Sequence, residues 1–445
     1  MIGSETLGGL NRDAVGLISP AAAGFDPGIW RDASPDRTEA LLRGLPVSPW
    51  PAVQDLVFHL LVTEAEPPGT DGERFLRARL DALVKRGALD QALALAERAG
   101  ADTPDLFDIW FDVALLSGRA DRPCTALLSN PALTPSEAAL AFCLARSGRW
   151  MSAWTTVETS AALGTISDQD HAVLTRFLDP ELFEDDAPLT WSQGQNMTPL
   201  TFRMLEAIGV PPSTDFLPLA YAWADTGPTK GWKAQLEASE RLARSGALST
   251  NQLLGVYTLR QANLSGALWD RVRAVQALDA TLTVGDSVRL PGTLSVSLEA
   301  MDSARLAPVL ARLVAPRLAR LDLPPEFSDQ AARLEILAGE PPRPLSASAS
   351  ARLRLAHTLV RGDTISAEKA PEADALANAV AQAFARPSFS VTTAQGQVLL
   401  AALTLLAPDA SADAQDVGSA LEMIRAAGQE PSARWIAASL LLEVP

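Results

Sequence analysis

The stretch Arg74–Gly100, RFLRARLDALVKRGALDQALALAERAG, decides the fold class. Leu76, Leu80, Leu83 and Val84 fall on one face of a helix at 3.6 residues per turn. Gly87 stops that helix, and Leu89, Ala92, Leu93 and Ala96 mark the apolar face of the next. Two short amphipathic helices joined by a glycine make a helical hairpin.

The pattern recurs. Thr134–Gly164, TPSEAALAFCLARSGRWMSAWTTVETSAALG, opens with Thr134 as expected N-cap, Pro135 at the first helical position and Glu137 closing a capping box. Leu140, Cys143 and Leu144 line its inner face, Gly148 ends it, and Trp150, Ala153, Trp154 and Val157 continue on a second helix. Between the hairpins, PDLFDIWFDVALLSGRADRPCTALL from Pro104 has its own helix-ending Gly118. Gly87, Gly118 and Gly148 are 31 and 30 residues apart, close to the period of about 34 residues of one kind of helix-pair repeat.

Both hairpins carry Gly-x-[Leu/Trp]-x-x-Ala-[Leu/Trp], at Gly87–Leu93 and Gly148–Trp154. In this they resemble the tetratricopeptide repeat, in which a small Ala lets the second helix approach the first. The Trp-x-x-Leu-Gly opening and a regular closing Pro of that repeat are missing. The resemblance implies an all-α chain of TPR-like hairpins stacked as an α-solenoid, whose concave surface holds partner segments. The segment SPAAAGFDPGIW at Ser19–Trp30, with Cys124 and Phe142-Cys143 after it, also resembles exported helical-repeat proteins of alphaproteobacteria.

Residues 1–45, rich in Gly, Pro and Asp, read as an extended, irregular arm. Helical repeats are expected over 46–177, an acidic linker over 178–199, and further repeats over 200–285 and 294–445. The intervening GDSVRLPGT, from Gly285 to Thr293, reads as a loop, and Ser249–Gln252 as another helix cap.

Composition narrows the partners. The 445 residues are 47% hydrophobic and 20% charged, which is globular. A net charge of −16 with a pI near 4.7 argues against nucleic acid and anionic membrane surfaces. It fits a protein partner, a basic one or one within an envelope assembly. The longest nearly apolar run, Val398–Ala407, is about half of what a bilayer span requires. No intact signal peptide begins the chain, and a trimmed mature form with an added Met would read the same.

Cys124 and Cys143 are the only cysteines. If the chain turns near Asn130–Leu133, they lie at similar distances from the turn on neighbouring antiparallel helices, where a disulfide is feasible. Two buried thiols acting as small hydrophobes are the other reading. An even count and no metal-like spacing favour the disulfide, and with it an oxidising compartment such as the periplasm over the cytoplasm.

Candidate chemistry thins out on inspection. His59, His171 and His357 are scattered, without the clustering that zinc needs. Asp179, Glu181, Glu184, Asp185 and Asp186 lack the alternation and central glycine of a calcium loop. Gly285-Asp286-Ser287 follows helical text rather than the strand that presents an esterase nucleophile. The run ADTGPTKGWK, Ala224–Lys233, carries two of the four lysines. Its Asp-Thr-Gly follows LPLAYAWA, which suits a short helix, and Trp232 interrupts any phosphate-loop register. It reads as a helix connection in which Trp232 seats the next helix. Trp232, Leu236 and Leu242 share a face there, with Glu237–Arg241 and Glu240–Arg244 as i,i+4 pairs.

The tryptophans Trp110, Trp150, Trp154, Trp223, Trp232, Trp269 and Trp435 sit at helix ends or on apolar faces. They read either as gap-fillers between helices or as a stacking groove. No catalytic, cofactor-binding or metal-ligating residue is expected. The candidate partner contacts are Trp110, Trp150, Trp154, Lys230, Trp232 and Lys233. The expected function is a non-catalytic interaction scaffold of the bacterial envelope, an accessory of a machine such as the flagellar motor. The alternatives are a helical domain or regulator accompanying a peptidoglycan-active enzyme, and a small-ligand binding protein with a Trp-lined groove.

Overall fold

Ala- and Leu-rich segments punctuated by Gly and Pro have one economical way to satisfy their backbone, the helix. The computed structural model describes residues 11–69, 72–187, 189, 197–321, 323–365, 374–406 and 413–443. Regular structure among them is helical, the one β feature being an isolated bridge between Ile18 and Thr63. The fold is all-α, built of helices packed on their chain neighbours.

The helices divide into two units. One comprises the described residues of Met1–Leu17 and Asp71–Thr229, the other those of Ile18–Thr70 and Lys230–Pro445. In the first unit, helices Arg74–Lys85 and Leu89–Ala99 form the hairpin read above, followed by Pro104–Leu116 and Asp121–Ser129. Glu137–Arg146 and Trp150–Leu163 form the second hairpin, with Asp168–Leu178 and Pro199–Ala207 after it. Each packs on the next along the chain, and Pro199–Ala207 returns to Pro104–Leu116. Gly87, Gly118 and Gly148 all adopt left-handed backbone, at φ 74°, 70° and 79°, the conformation that a glycine reaches without strain. Ala92 and Ala153 are completely buried where the hairpin pattern calls for a small residue.

Segment 11–17 is stitched onto the first hairpin. Helix Arg74–Lys85 lacks a side-chain cap of its own. Asp13 supplies one, its Oδ1 accepting the Leu76 N–H at 2.7 Å. The buried Arg79 donates in return to the carbonyls of Asp13 and Val15 at 3.2 and 2.8 Å.

The arm is more helical than expected. Pro20–Ala23 and Pro35–Gly44 are helices, and Pro51–Val62 is a third where helical chain was expected; each opens on proline, whose missing N–H costs nothing in the first turn. Ser19 and Ser34 cap the first two, accepting the N–H of Ala22 and Arg37. Glycine and proline content pointed to irregular chain, whereas Ser-Pro is also a helix start.

This part of the arm packs within the second unit, Pro35–Gly44 on Gln395–Leu405 and Pro51–Val62 on Glu430–Glu443. Trp30 is 2% exposed, and a Cβ on Gly396 would come within 2.3 Å of its ring. Gly396 N–H donates to the Ile29 carbonyl at 2.8 Å and Ala394 N–H to that of Arg31 at 2.7 Å. Gln397 Nε2 donates to the Ser34 carbonyl and the Thr38 hydroxyl at 2.7 and 2.8 Å.

Two local expectations are corrected. Thr134 is not the N-cap of its helix: its hydroxyl accepts the Ser136 N–H at 3.2 Å. Ser136 offers an equivalent cap two residues on and takes the Ala139 N–H. The loop from Gly285 is shorter than read. Asp286 Oδ1 accepts the N–H groups of Val288 and Arg289, each at 3.1 Å, so that a helix Leu290–Asp302 begins with Pro291 in its first turn. The segment leading into ADTGPTKGWK is a short helix as expected, of the 3₁₀ kind and running from Leu219 to Thr226. The Ser249–Gln252 capping box is present as expected.

Glu240 does more than form an i,i+4 pair. It lies 3.8 Å from Arg244, yet it is 2% exposed and accepts Arg271 Nε and Nη2 at 2.9 and 2.7 Å. The Tyr257 hydroxyl donates to it as well, at 2.7 Å. A buried carboxylate with this many donors is expensive to disturb, because removing its charge strands a buried guanidinium. Glu237 on the same helix is exposed and lies 3.6 Å from Lys233. In urea unfolding, Glu240→Gln is expected to lower stability by roughly 3 kcal/mol or more, while Glu237→Gln changes it by less than about 0.5 kcal/mol.

Candidate functional site

The two cysteines are joined. Cys124 and Cys143 form a disulfide with Cα atoms 5.0 Å apart across 19 residues of chain. Helix Asp121–Ser129 carries the first, helix Glu137–Arg146 the second, and the Pro131–Leu133 turn lies between them as expected. Both sulfurs belong to buried residues.

The expected Trp contacts separate into distinct environments. Phe107 lies edge-on to Trp110 at 6.1 Å and stacks on Phe111 at 5.8 Å. Phe111 meets Phe142 at 6.2 Å, Phe142 stacks on Phe177 at 5.7 Å, and Phe177 reaches Trp150 at 6.3 Å. This ladder joins helices Pro104–Leu116, Glu137–Arg146, Asp168–Leu178 and Trp150–Leu163 through their cores. Only its last rung opens, with Trp150 49% exposed beside Met151 at 77%. Trp154 is partly buried on the same helix. Trp110 and Trp150 are thus linked through packing and do not share a groove.

In the second unit, Trp232 is buried, donates its indole N–H to the Val256 carbonyl at 2.9 Å and lies 5.1 Å from Trp269. That arrangement suits seating a helix more than offering a contact. Lys233 is exposed, and Lys230 is partly buried, its carbonyl accepting from Gln235 at 2.8 Å.

Trp110 has another aspect. A cleft of about 470 Å³ opens between helices Leu89–Ala99, Pro104–Leu116 and Asp121–Ser129, all in the first unit. Trp110 is part of its lining, with Glu97, Asp102, Asp121 and Arg122 as the charged members. Arg122 pairs with Glu97 at 2.5 Å, and Asp121 with Arg146 at 2.5 Å. Asp102 is exposed, and no ion pair engages it among the described residues. Trp110 itself is 6% exposed, and its buried indole N–H has no hydrogen-bond partner among the described residues. The wall bearing Asp121 and Arg122 is the helix that the disulfide holds.

A second cleft, of about 570 Å³, lies in the second unit and is lined by Asp55, His59, Arg361, Glu430, Arg434 and Trp435 among others. Its acids are engaged: Asp55 with Arg312 at 2.5 Å, Glu430 with Arg425 and Arg434 at 2.6 and 2.8 Å.

Other candidates resolve into structural roles. His171 meets Glu158 at 3.0 Å, and His357 lies 3.2 Å from the Arg343 carbonyl. Asp179 accepts the Leu182 N–H at 3.3 Å and Asp186 pairs with Arg176 at 3.1 Å. Much of the expected acidic linker lies outside the described residues. Among those described, no group of three or more His, Cys, Asp or Glu is placed to hold a metal ion, and no helix is long and apolar enough to cross a membrane.

Asp13, Asp112 and Glu443 are acids raised by burial that the sequence does not single out. Asp105, Asp108 and Asp112 recur at i, i+3 and i+7 on helix Pro104–Leu116, a spacing that puts them on one face. Burial foremost, with Asp108 adding to it and Arg77 opposing, pushes the Asp112 carboxyl up to about 7. The same spacing was available in DLFDIWFD, where the aromatic residues drew the attention.

No protein-family model, curated protein or solved structure matches this chain.

Two measurements follow from this geometry. A folded-state pKa above the unfolded value means that the native chain holds a proton which the unfolded chain releases. Asp112 therefore withdraws stability as pH rises from about 4 to 7. Asp112→Asn keeps the neutral form at every pH. Its melting temperature should match the parent near pH 4 and exceed it at pH 8, by the equivalent of about 1 kcal/mol or more. Separately, Cys124→Ser with Cys143→Ser is expected to lower unfolding free energy by about 3 kcal/mol, from the loop it opens. Reductant should reproduce that loss in the parent protein and leave the double variant unchanged.

Proposed function

We propose that this chain is a non-catalytic interaction scaffold, an accessory to a larger assembly in an oxidising compartment, the bacterial envelope. The observation that carries the reading is the Trp110 cleft set in a disulfide-braced stack of helix pairs. Stacked pairs offer extended surfaces on which partner segments lie. The Gly-x-[Leu/Trp]-x-x-Ala turns support a tetratricopeptide-like kind of repeat, and Trp150 and Met151 add an exposed apolar end to the same unit. A disulfide persists where thiols are oxidised and is rare in cytosol, which supports a periplasmic place. The flagellar motor is one assembly of the envelope in which such an accessory would work.

A second reading rests on the larger cleft. Its Trp435, Arg434, Arg361 and Glu430 would suit a small polar ligand with both charges.

Cells of origin carrying a photoreactive residue in place of Ser129, at the edge of the first cleft, provide the test. Irradiation should yield one crosslinked protein of defined mass. A co-purifying glycan or metabolite with no crosslinked protein would replace the scaffold by the ligand-binding reading. Denatured, acid-quenched protein from the same cells should show free thiols only after reduction. Two free thiols beforehand would place the chain in the cytoplasm.

A further inference from the structure

A third cleft, of about 510 Å³, opens in the second unit where helices Leu290–Asp302, Ser328–Ala338, Ala351–Val360 and Glu430–Glu443 meet. Leu298, Leu353, Leu441 and Leu442 give it an apolar side. Most of its polar lining is already engaged. Asp329 accepts the N–H and the hydroxyl of Ser346 at 2.8 and 2.7 Å. Ser350 caps its helix by accepting the Leu353 N–H at 3.2 Å, and Arg352 Nε lies 2.5 Å from Asp374.

Arg333 is different. Asp329 stands four residues before it, a spacing at which acid and base on one helix commonly pair, yet Asp329 bonds Ser346 instead. Other half-buried arginines, Arg203, Arg312, Arg317 and Arg343, each meet a carboxylate at 2.5 to 2.7 Å. Arg333 forms no such pair among the described residues. Its Nη2 donates to the Leu442 carbonyl at 3.0 Å, while Nε and Nη1 have no partner and stay open to solvent in the cleft. Gln330, one turn back on the same wall, also offers its amide without a partner among the described residues. Glu443, whose field reaches Arg333, does not neutralise it. Burial foremost, with Asp302 adding and Arg312 and Arg333 opposing, pushes the Glu443 carboxyl up to about 8, so it is mostly protonated at neutral pH.

We propose that this cleft binds a small carboxylic acid with an aliphatic body. The carboxylate lies on Arg333 and accepts the Gln330 amide, and the chain lies over Leu298, Leu353, Leu441 and Leu442. A guanidinium presents its N–H groups in a planar fork that suits a carboxylate. The leucines favour an apolar body that leaves water to meet them. The first turn of helix Ala351–Val360 faces the same cleft and adds positive partial charge. An organic cation meets Arg333 with the wrong sign, and a bare inorganic anion leaves the leucines wet. The net charge of −16 opposes an anion at a distance. Physiological salt screens that opposition beyond about 8 Å, so the contact groups decide.

The full, oxidised chain is titrated calorimetrically with hexanoate at pH 7 and physiological salt. Hexanamide, which keeps the chain without the charge, and acetate, which keeps the charge without the chain, are titrated in parallel. Hexanoate should fill one site and bind at least about tenfold more tightly than either. Arg333→Gln should weaken it about tenfold or more. Because Arg333 also holds the Leu442 carbonyl, a second variant separates binding from folding. Gln330→Glu changes a side chain without a partner, so the melting temperature should hold while hexanoate weakens about fivefold or more. Arg361→Gln, at an exposed arginine of the second cleft, should leave the affinity unchanged. No saturable binding of hexanoate, equal binding of hexanamide or acetate, an unchanged affinity in Gln330→Glu, or an equal loss in Arg361→Gln would each overturn the proposal. The scaffold reading does not rest on this cleft, and the Ser129 crosslink decides it separately.

Discussion

The second unit depends on a close approach that only glycine permits. Trp30 occupies the space where a side chain at position 396 would begin, and the backbone of Ile29 and Arg31 bonds the start of helix Gln395–Leu405 on either side of it. Ala394 sits at φ 50°, a conformation awkward for a residue with a Cβ, and its N–H is held by the Arg31 carbonyl. A buried glutamine, Gln397, gives its amide to Ser34 and Thr38, the former 363 residues away in the chain. Those bonds make the arm a wall of the unit instead of a tether. An open solenoid has contacts only between neighbours and can nucleate anywhere. A unit closed by residues 29 and 396 has a long loop to close first, and such non-local closure slows folding more than it weakens the product.

The first unit uses different means. Its helices pack on their chain neighbours, and what runs through them is an aromatic ladder from Trp110 to Trp150 by way of four phenylalanines. Aromatic pairs of this kind add about 0.5–1.5 kcal/mol each beyond the area they bury. They also fix the approach of the helix that carries Ala153 to its neighbours. The disulfide crosses the same layer at Cys143, next to Phe142 in the chain. Core packing and covalent bracing thus meet on helix Glu137–Arg146, which leaves the neighbouring helix Asp121–Ser129 with a defined position and a free outer face.

Much of this was legible in the chain. Helix type, the glycine turns with their spacing of about thirty residues, the capping box at Ser249 and the cysteine pair follow from local rules, in which a residue's neighbours determine its conformation. The arm was misread because Gly, Pro and Asp were weighed as composition, although Ser19-Pro20 and Ser34-Pro35 are start signals by position. Glu240 was seen only as a partner of Arg244, since i,i+4 spacing is visible in a sequence and the approach of Arg271 and Tyr257 is not. The cleft was half legible. Trp110 stood out by type, whereas Glu97, Asp102 and Asp121 belong to three separate stretches that a sequence cannot bring together.

The state of Trp110 also says something about how selection treats the two tryptophan roles. Trp223, Trp232 and Trp435 satisfy their N–H groups on the carbonyls of Gly87, Val256 and Ile336. Each therefore behaves as a structural wedge, apolar ring inward and donor spent on a neighbouring helix. Phenylalanine in place of Trp110 would remove the orphan donor, but as the smaller ring it would leave a gap beside Phe107. The volume of the indole is thus itself a reason for tryptophan at that position, set against the cost of one buried donor. Trp50 is in the same state in the second unit, its buried indole N–H also without a partner among the described residues, so that an orphan donor accompanies a packed indole in both units.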